Sequence, residues 1–245
     1  MSFLNLDTKK VTQYVADRVK LRSLHIDRCP LVRTGTVASW FKAPQSPLDI
    51  SELRSLQLTN PYYPVVVVDE ILALSSKALE NLTLSVDLYG PHPQRLPEKT
   101  PDLGSLHNLC HLTIHTRIRS LPYWQPDVKE KNDLSYIATM LKTLPFNTFR
   151  PRQLQLDILM PVNLSDFDTN LPLLPWSDLI GLLEDAQMAP CFSSVHLRIK
   201  RLRYEKDLQP KDVDMTPVAL AFVLDKNDGL KRLREKGLLF SYNSY

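Results

Sequence analysis

Aliphatic and polar positions alternate along the chain in two rhythms. The first is short: an aliphatic residue, two variable residues, an aliphatic, one variable residue and a further aliphatic. It occurs as LRSLHI from Leu21, LRSLQL from Leu53, LENLTL from Leu79 and LCHLTI from Leu109, with weaker copies PRQLQL from Pro151 and FSSVHL from Phe192. The end of each copy has a period of two, which predicts a strand with one buried face. The middle aliphatics Leu24, Leu56, Leu82, Leu112, Leu154 and Val195 stand 32, 26, 30, 42 and 41 residues apart. Intervals of that length accommodate a crossover between parallel neighbours.

The second rhythm is helical. VTQYVADRV follows Asp7, VVVVDEILALSS follows Pro64, and SDLIGLLEDA follows Pro175 and Trp176, each behind a residue suited to a helix start. DLSYIATMLKTL places Leu134, Ile137, Met140, Leu141 and Leu144 on one stripe. Strands alternating with such crossovers predict right-handed connections and a stacked strand-and-helix solenoid. GPHPQRLPEKTPDLG, LPYWQPDVKEK and LMPVNLSDFDTNLPLLP are proline-rich and read as irregular connections. Near the C-terminus, TPVALAFVL reads as a helix, Asn227 to Gly229 as a break, KRLREK as a second helix and LLFSYNSY as a closing strand. The expected organisation is one α/β repeat domain over residues 1–245. It comprises a capping helix in 1–20, repeats in 21–199, and C-terminal helices with a closing strand in 200–245. Its parallel sheet should have about seven strands, with helices and loops on the outer face.

Composition narrows the chemistry. The chain has 245 residues, 43% of them hydrophobic, enough for a substantial core. Its 43 leucines contrast with six glycines, no two of which fall within two residues of each other. A loop that wraps phosphate needs closely spaced glycines, so G-x-G and P-loop chemistry is excluded. A net charge of +3 implies neither a nucleic-acid nor a membrane partner. No apolar run approaches the roughly 18 residues of a membrane span, and MSFLNLDTKK lacks the apolar region of a signal peptide. An intracellular, cytoplasmic or nuclear, chain that is monomeric by itself is expected. Cys29, Cys110 and Cys191 form no C-x-x-C pair, and read as reduced core thiols rather than a disulfide framework or zinc site.

The most tempting reactive cluster is HNLCHLTIH, with His107, Cys110, His111 and His115. In a helix the three histidines would share a face suited to metal. The same segment is the best-matched strand, with Leu112 and Ile114 inward and His111, Thr113 and His115 outward, and no third ligand type stands beside them in sequence. Cys110 and His111, as strand neighbours, point to opposite sides and cannot form a nucleophile pair. The basic run RIKRLRYEK, with Arg198, Lys200, Arg201, Arg203 and Lys206, is broken by Leu202 and followed by Asp207, and reads as a solvated strand end. Asp166 and Asp168 sit in a polar loop, and no hydrolase or metalloprotease signature occurs. No catalytic residue, metal or cofactor is therefore assigned.

The repeat generates its own constellation. With the aliphatics inward, the residues between them form ladders on the opposite face: Ser23, His25 and Asp27; Ser55, Gln57 and Thr59; Asn81, Thr83 and Ser85; His111, Thr113 and His115; Gln153, Gln155 and Asp157; Ser194, His196 and Arg198. Nearly all can hydrogen-bond and few are charged, which suits recognition of a peptide or protein partner. His25, Gln57, Thr83, His111, Thr113, His115, Gln155 and His196 are the candidate partner-binding residues.

The L-x-x-L-x-L copies resemble leucine-rich repeats, which give one strand per repeat to a concave sheet. That family continues with asparagine or cysteine three residues after the third aliphatic. Here the position holds Cys29, Pro61, Asp87 and Arg117, of which only Cys29 fits. Together with the proline-rich insertions and the closing LKRLREKGLLFSY, the pattern over residues 9–245 looks like the repeat domains of fungal F-box-like proteins. The resemblance implies repeats that bind the substrate of a ubiquitin ligase, with an F-box joining the ligase scaffold. MSFLNLDTKKVTQYVADRVK supplies one short helix rather than a recognisable F-box. The leading expectation is a non-enzymatic interaction module, the substrate-recognition part of an F-box-like subunit. The alternative is an enzyme of another α/β fold with its site on the proline-rich loops at one sheet edge.

Overall fold

The computed structural model describes residues 18–27, 36–59, 64–86, 99–117, 133–145, 152–160, 176–201 and 226–236. The strands are β1 (Val19–Lys20), β2 (Ser23–Ile26), β3 (Leu48–Asp49), β4 (Ser55–Leu58), β5 (Asn81–Val86), β6 (His111–Arg117), β7 (Arg152–Met160) and β8 (Phe192–Arg201). β2, β4, β5, β6, β7 and β8 form one sheet in that order, parallel at every pairing, while β1 and β3 form a separate parallel pair. Among the described residues the sheet therefore has six strands rather than about seven, one for each copy of the repeat. The expected closing strand LLFSYNSY, the helix over TPVALAFVL and residues 1–17 of the expected capping helix lie outside the described residues. The end of that capping helix is instead a strand: Val19 and Lys20 are extended and pair with Leu48 and Asp49.

Strand register follows the repeat. Leu24, Leu56, Leu82, Leu112, Leu154 and Val195 align in one row, and Ile26, Leu58, Leu84, Ile114, Leu156 and Leu197 in the next. All are buried except Leu24 on the edge strand, which is half-buried. Each buried side chain of this size contributes about 1.5–3 kcal/mol relative to an exposed one. One irregularity interrupts the pattern between Arg152 and Gln153, where β8 holds the extra residue Ser193. The Ser193 hydroxyl donates to the Arg152 carbonyl at 3.2 Å, giving the bulge a partner.

Among the described residues five α-helices lie against the aliphatic side: α1 (Thr36–Lys42), α2 (Val65–Ser75), α3 (Asp133–Leu141), α4 (Ser177–Glu184) and α5 (Asp228–Glu235). Four consecutive valines favour a strand by propensity. Pro64 before them and a buried stripe of Val67, Val68, Ile71, Leu72 and Ser75 make α2 a helix. α1 buries Val37, Ala38 and Phe41. Its C-terminal carbonyls are gathered by Arg18, which donates to Ser46 O at 3.1 Å, to Phe41 O at 3.3 Å and also to Ala43 O. Between β5 and β6 the described residues 99–110 form no helix or strand, yet Leu103, Leu106 and Leu109 are buried. Side chains satisfy this irregular backbone: Leu103 N donates to Thr143 Oγ1 and Asp102 N to Asp69 Oδ1, both at 2.8 Å.

At the β8 end, α5 packs on α4, capped by Asn227, whose side chain accepts from Leu230 N at 3.1 Å. The approach is close enough that a Cβ on Gly229 would stand 2.6 Å from Ile180 Cδ1. Arg232 donates to both carboxylate oxygens of Glu184, at 2.9 and 3.2 Å, and this bond holds the Glu184 carboxyl below its ordinary range. The space between β7, β8, α4 and α5 is apolar and amounts to about 10 Å³, the lower limit for one water molecule. No helix among the described residues is long and apolar enough to cross a membrane.

Candidate functional site

The pleat sends every second side chain of the six strands away from the helices. Parallel register collects these residues into three rows. His25, Gln57, Thr83, Thr113, Gln155 and His196 form the middle row across all six strands. Six of the eight candidate partner-binding residues are thus contiguous. His111 belongs to the row of Ser23, Ser55, Asn81, Gln153 and Ser194, nearer the strand N-termini. His115 belongs to the third row, with Ser85, Asp157 and Arg198. His25, His111 and Gln153 are exposed, whereas Gln57, Thr83, Thr113, His115, Gln155 and His196 are half-buried.

The third row departs from the expected neutral, solvated ladder. The Asp157 side chain is 0% exposed, against 27% for His115 and 16% for Arg198. Arg198 Nε donates to Asp157 Oδ1 at 2.6 Å and Nη2 to Oδ2 at 2.7 Å, a two-pronged charge-assisted contact. His115 Nδ1 stands 3.1 Å from Asp157 Oδ2. Asp157 lies on an interior strand, so Arg198 on one neighbour and His115 on the other both reach its carboxylate and contribute to covering it. The sequence places all three at the same repeat position with no sign that one would be buried. The legible signal was an acidic residue with a basic one at the equivalent place in the next copy.

A carboxylate only accepts, so His115 Nδ1 carries the hydrogen that faces Asp157. An imidazole oriented by a buried aspartate is the supporting half of a hydrolytic triad, and Ser85 stands beside it in register. The other half needs preorganised donors for an oxyanion, from backbone N–H groups or from amide and hydroxyl side chains. Along these rows the N–H groups are engaged in the parallel ladder. Among the described residues, no group of three or more His, Cys, Asp or Glu could hold a metal ion. What this face offers is an ordered array of short hydrogen-bonding side chains.

No family model, curated protein or solved structure matches the chain.

At the opposite end of the face a smaller network forms. Thr59 Oγ1 donates to Asp27 Oδ1 at 2.9 Å and lies 3.2 Å from His25 Nε2, which therefore donates to it. Asp27 and His25 are both exposed. The two networks bracket an uncharged centre made of Gln57, Thr83, Thr113 and Gln155. The proline-rich loops of the alternative site fall largely outside the described residues.

Proposed function

We propose that this chain is a protein-interaction module, an irregular leucine-rich-repeat-like solenoid that binds a protein partner through the polar face of its sheet. The observation that carries this reading is the middle row, in which His25, Gln57, Thr83, Thr113, Gln155 and His196 run without interruption across six strands. Such side chains donate and accept hydrogen bonds, and the short ones among them lose little rotamer freedom when a partner covers them. Fixed register sets their spacing, so the row presents a preorganised pattern, which lowers the entropic cost of association. By resemblance, the partner is the substrate of a ubiquitin ligase and the chain is the recognition part of an F-box-like subunit.

The test is quantitative affinity purification from native cells with three proteins. One is the unaltered chain, and one carries Thr113→Arg with Gln155→Arg at the centre of the row. The third carries Ala73→Arg with Thr139→Arg, two exposed positions on α2 and α3. All three should melt within a few degrees of one another, because none of the substituted side chains is buried. Partners retained by the unaltered chain and by the helix variant should be lost from the sheet-face variant. Retention by the sheet-face variant with loss from the helix variant contradicts the reading.

A further inference from the structure

On the helix side of the sheet, independent of the polar face, Arg152 opens β7 with its side chain turned inward. Arg152 and Leu154 are buried while Gln153 between them is exposed. Arg152 Nη1 donates to Pro145 O at 3.3 Å, but its Nε and Nη2 are buried with no hydrogen-bond partner among the described residues. A guanidinium in that condition carries a desolvation cost that its one hydrogen bond offsets only in part. Burial pulls its pKa below the ordinary value, and the opposing influences are the thiols of Cys191 and Cys110. Gln153 N donates to Cys110 O at 2.8 Å, so Cys110, immediately before β6, lies beside Arg152, and alternation along the chain puts it on the same side of the sheet as Leu112. Cys191 is buried, whereas Cys110 is partly exposed. The Cys110 thiol donates to Asn108 O at 3.4 Å, and a donor offers the guanidinium nothing.

We propose that Cys110 is an oxidation site: a hydroperoxide converts its thiol to a sulfur oxyanion, which the unpartnered Nε and Nη2 of Arg152 hold. In the first step the sulfur attacks one peroxide oxygen, the O–O bond breaks, and Cys–SH and ROOH become Cys–SOH and ROH. A second hydroperoxide oxidises the sulfenic acid to the sulfinate, releasing ROH and a proton. Each step takes two electrons from sulfur and places them on the departing oxygen. The sulfinate supplies the negative charge and acceptor oxygens that Arg152 lacks while the thiol is reduced.

Hydrogen peroxide is the probe. After limited treatment, dimedone labelling with peptide mass mapping should find the sulfenic acid on Cys110 about tenfold more than on Cys191. The sulfinylated protein should melt several degrees above the reduced protein, and the shift should vanish in Cys110→Ser. In Arg152→Met the same oxidation should lower the midpoint, since the anion then has no cation. If that variant does not fold, the comparison of the unaltered chain with Cys110→Ser decides alone. Labelling of Cys191 without Cys110, or an unchanged or lowered midpoint on oxidation of the unaltered chain, overturns the proposal.

Discussion

The two ends of the polar face hold the same pair of residue types, a histidine and an aspartate, in opposite states. At β2 and β4, Asp27 and His25 meet through the Thr59 hydroxyl and stay in solvent. At β6 to β8, Asp157 is buried between His115 and Arg198. The difference is position in the sheet. Asp27 follows an edge strand with one neighbour in the sheet, and Asp157 lies on an interior strand with long side chains on either side. Facing away from the core is therefore not the same as being exposed, because cross-strand partners can complete the burial.

Breaking the β8 side of this comparison should have the largest effect. Arg198→Met leaves a buried carboxylate with His115 as its remaining described ion-pair partner, and should cost about 3–5 kcal/mol in denaturant unfolding. Next comes the core row directly behind the face. Leu112→Ala should cost about 2–5 kcal/mol, while Thr113→Ala beside it should cost under about 1 kcal/mol. Equal losses at 112 and 113 would contradict the register.

A third polar group sharpens the contrast from within the helix layer. Tyr136 on α3 is buried and its hydroxyl donates to Lys99 O at 3.3 Å. Burial, aided by the Asp69 carboxylate, pushes its pKa up to about 12 from an ordinary 10.0. A raised folded value means that the neutral phenol is favoured by folding. The stabilisation is complete below pH 10 and is lost as pH rises from about 10 to about 12, by at most about 3 kcal/mol. Tyr136→Phe should flatten that part of the alkaline unfolding curve. The smallest effect belongs to the exposed end: Asp27→Asn should change stability by under about 0.5 kcal/mol. A loss there comparable to that of Arg198→Met would remove the distinction between the ends.

The parallel sheet and its register were legible because the repeat has a strict period of two, and a slip of one residue would turn every aliphatic outward. α1 was not, since seven residues give too little periodicity to separate a helix from a loop. Nor was the buried irregular segment before β6, where Leu103, Leu106 and Leu109 pack without a helix. Its backbone is held by Thr143 and Asp69, distant in sequence. On the polar face, the membership of each row could be read from the repeat. The burial of Asp157 could not, because it depends on side chains about forty residues away on two other strands.

The polar face as the binding surface is the claim on which the account turns, and site-specific photo-crosslinking tests it most directly. A photoreactive amino acid placed at Thr113, in the middle row, is compared with one at Thr139, exposed on α3. The account predicts that, in native cell extract, position 113 crosslinks to a discrete protein partner and position 139 does not. Crosslinking of that partner from position 139 alone would contradict it.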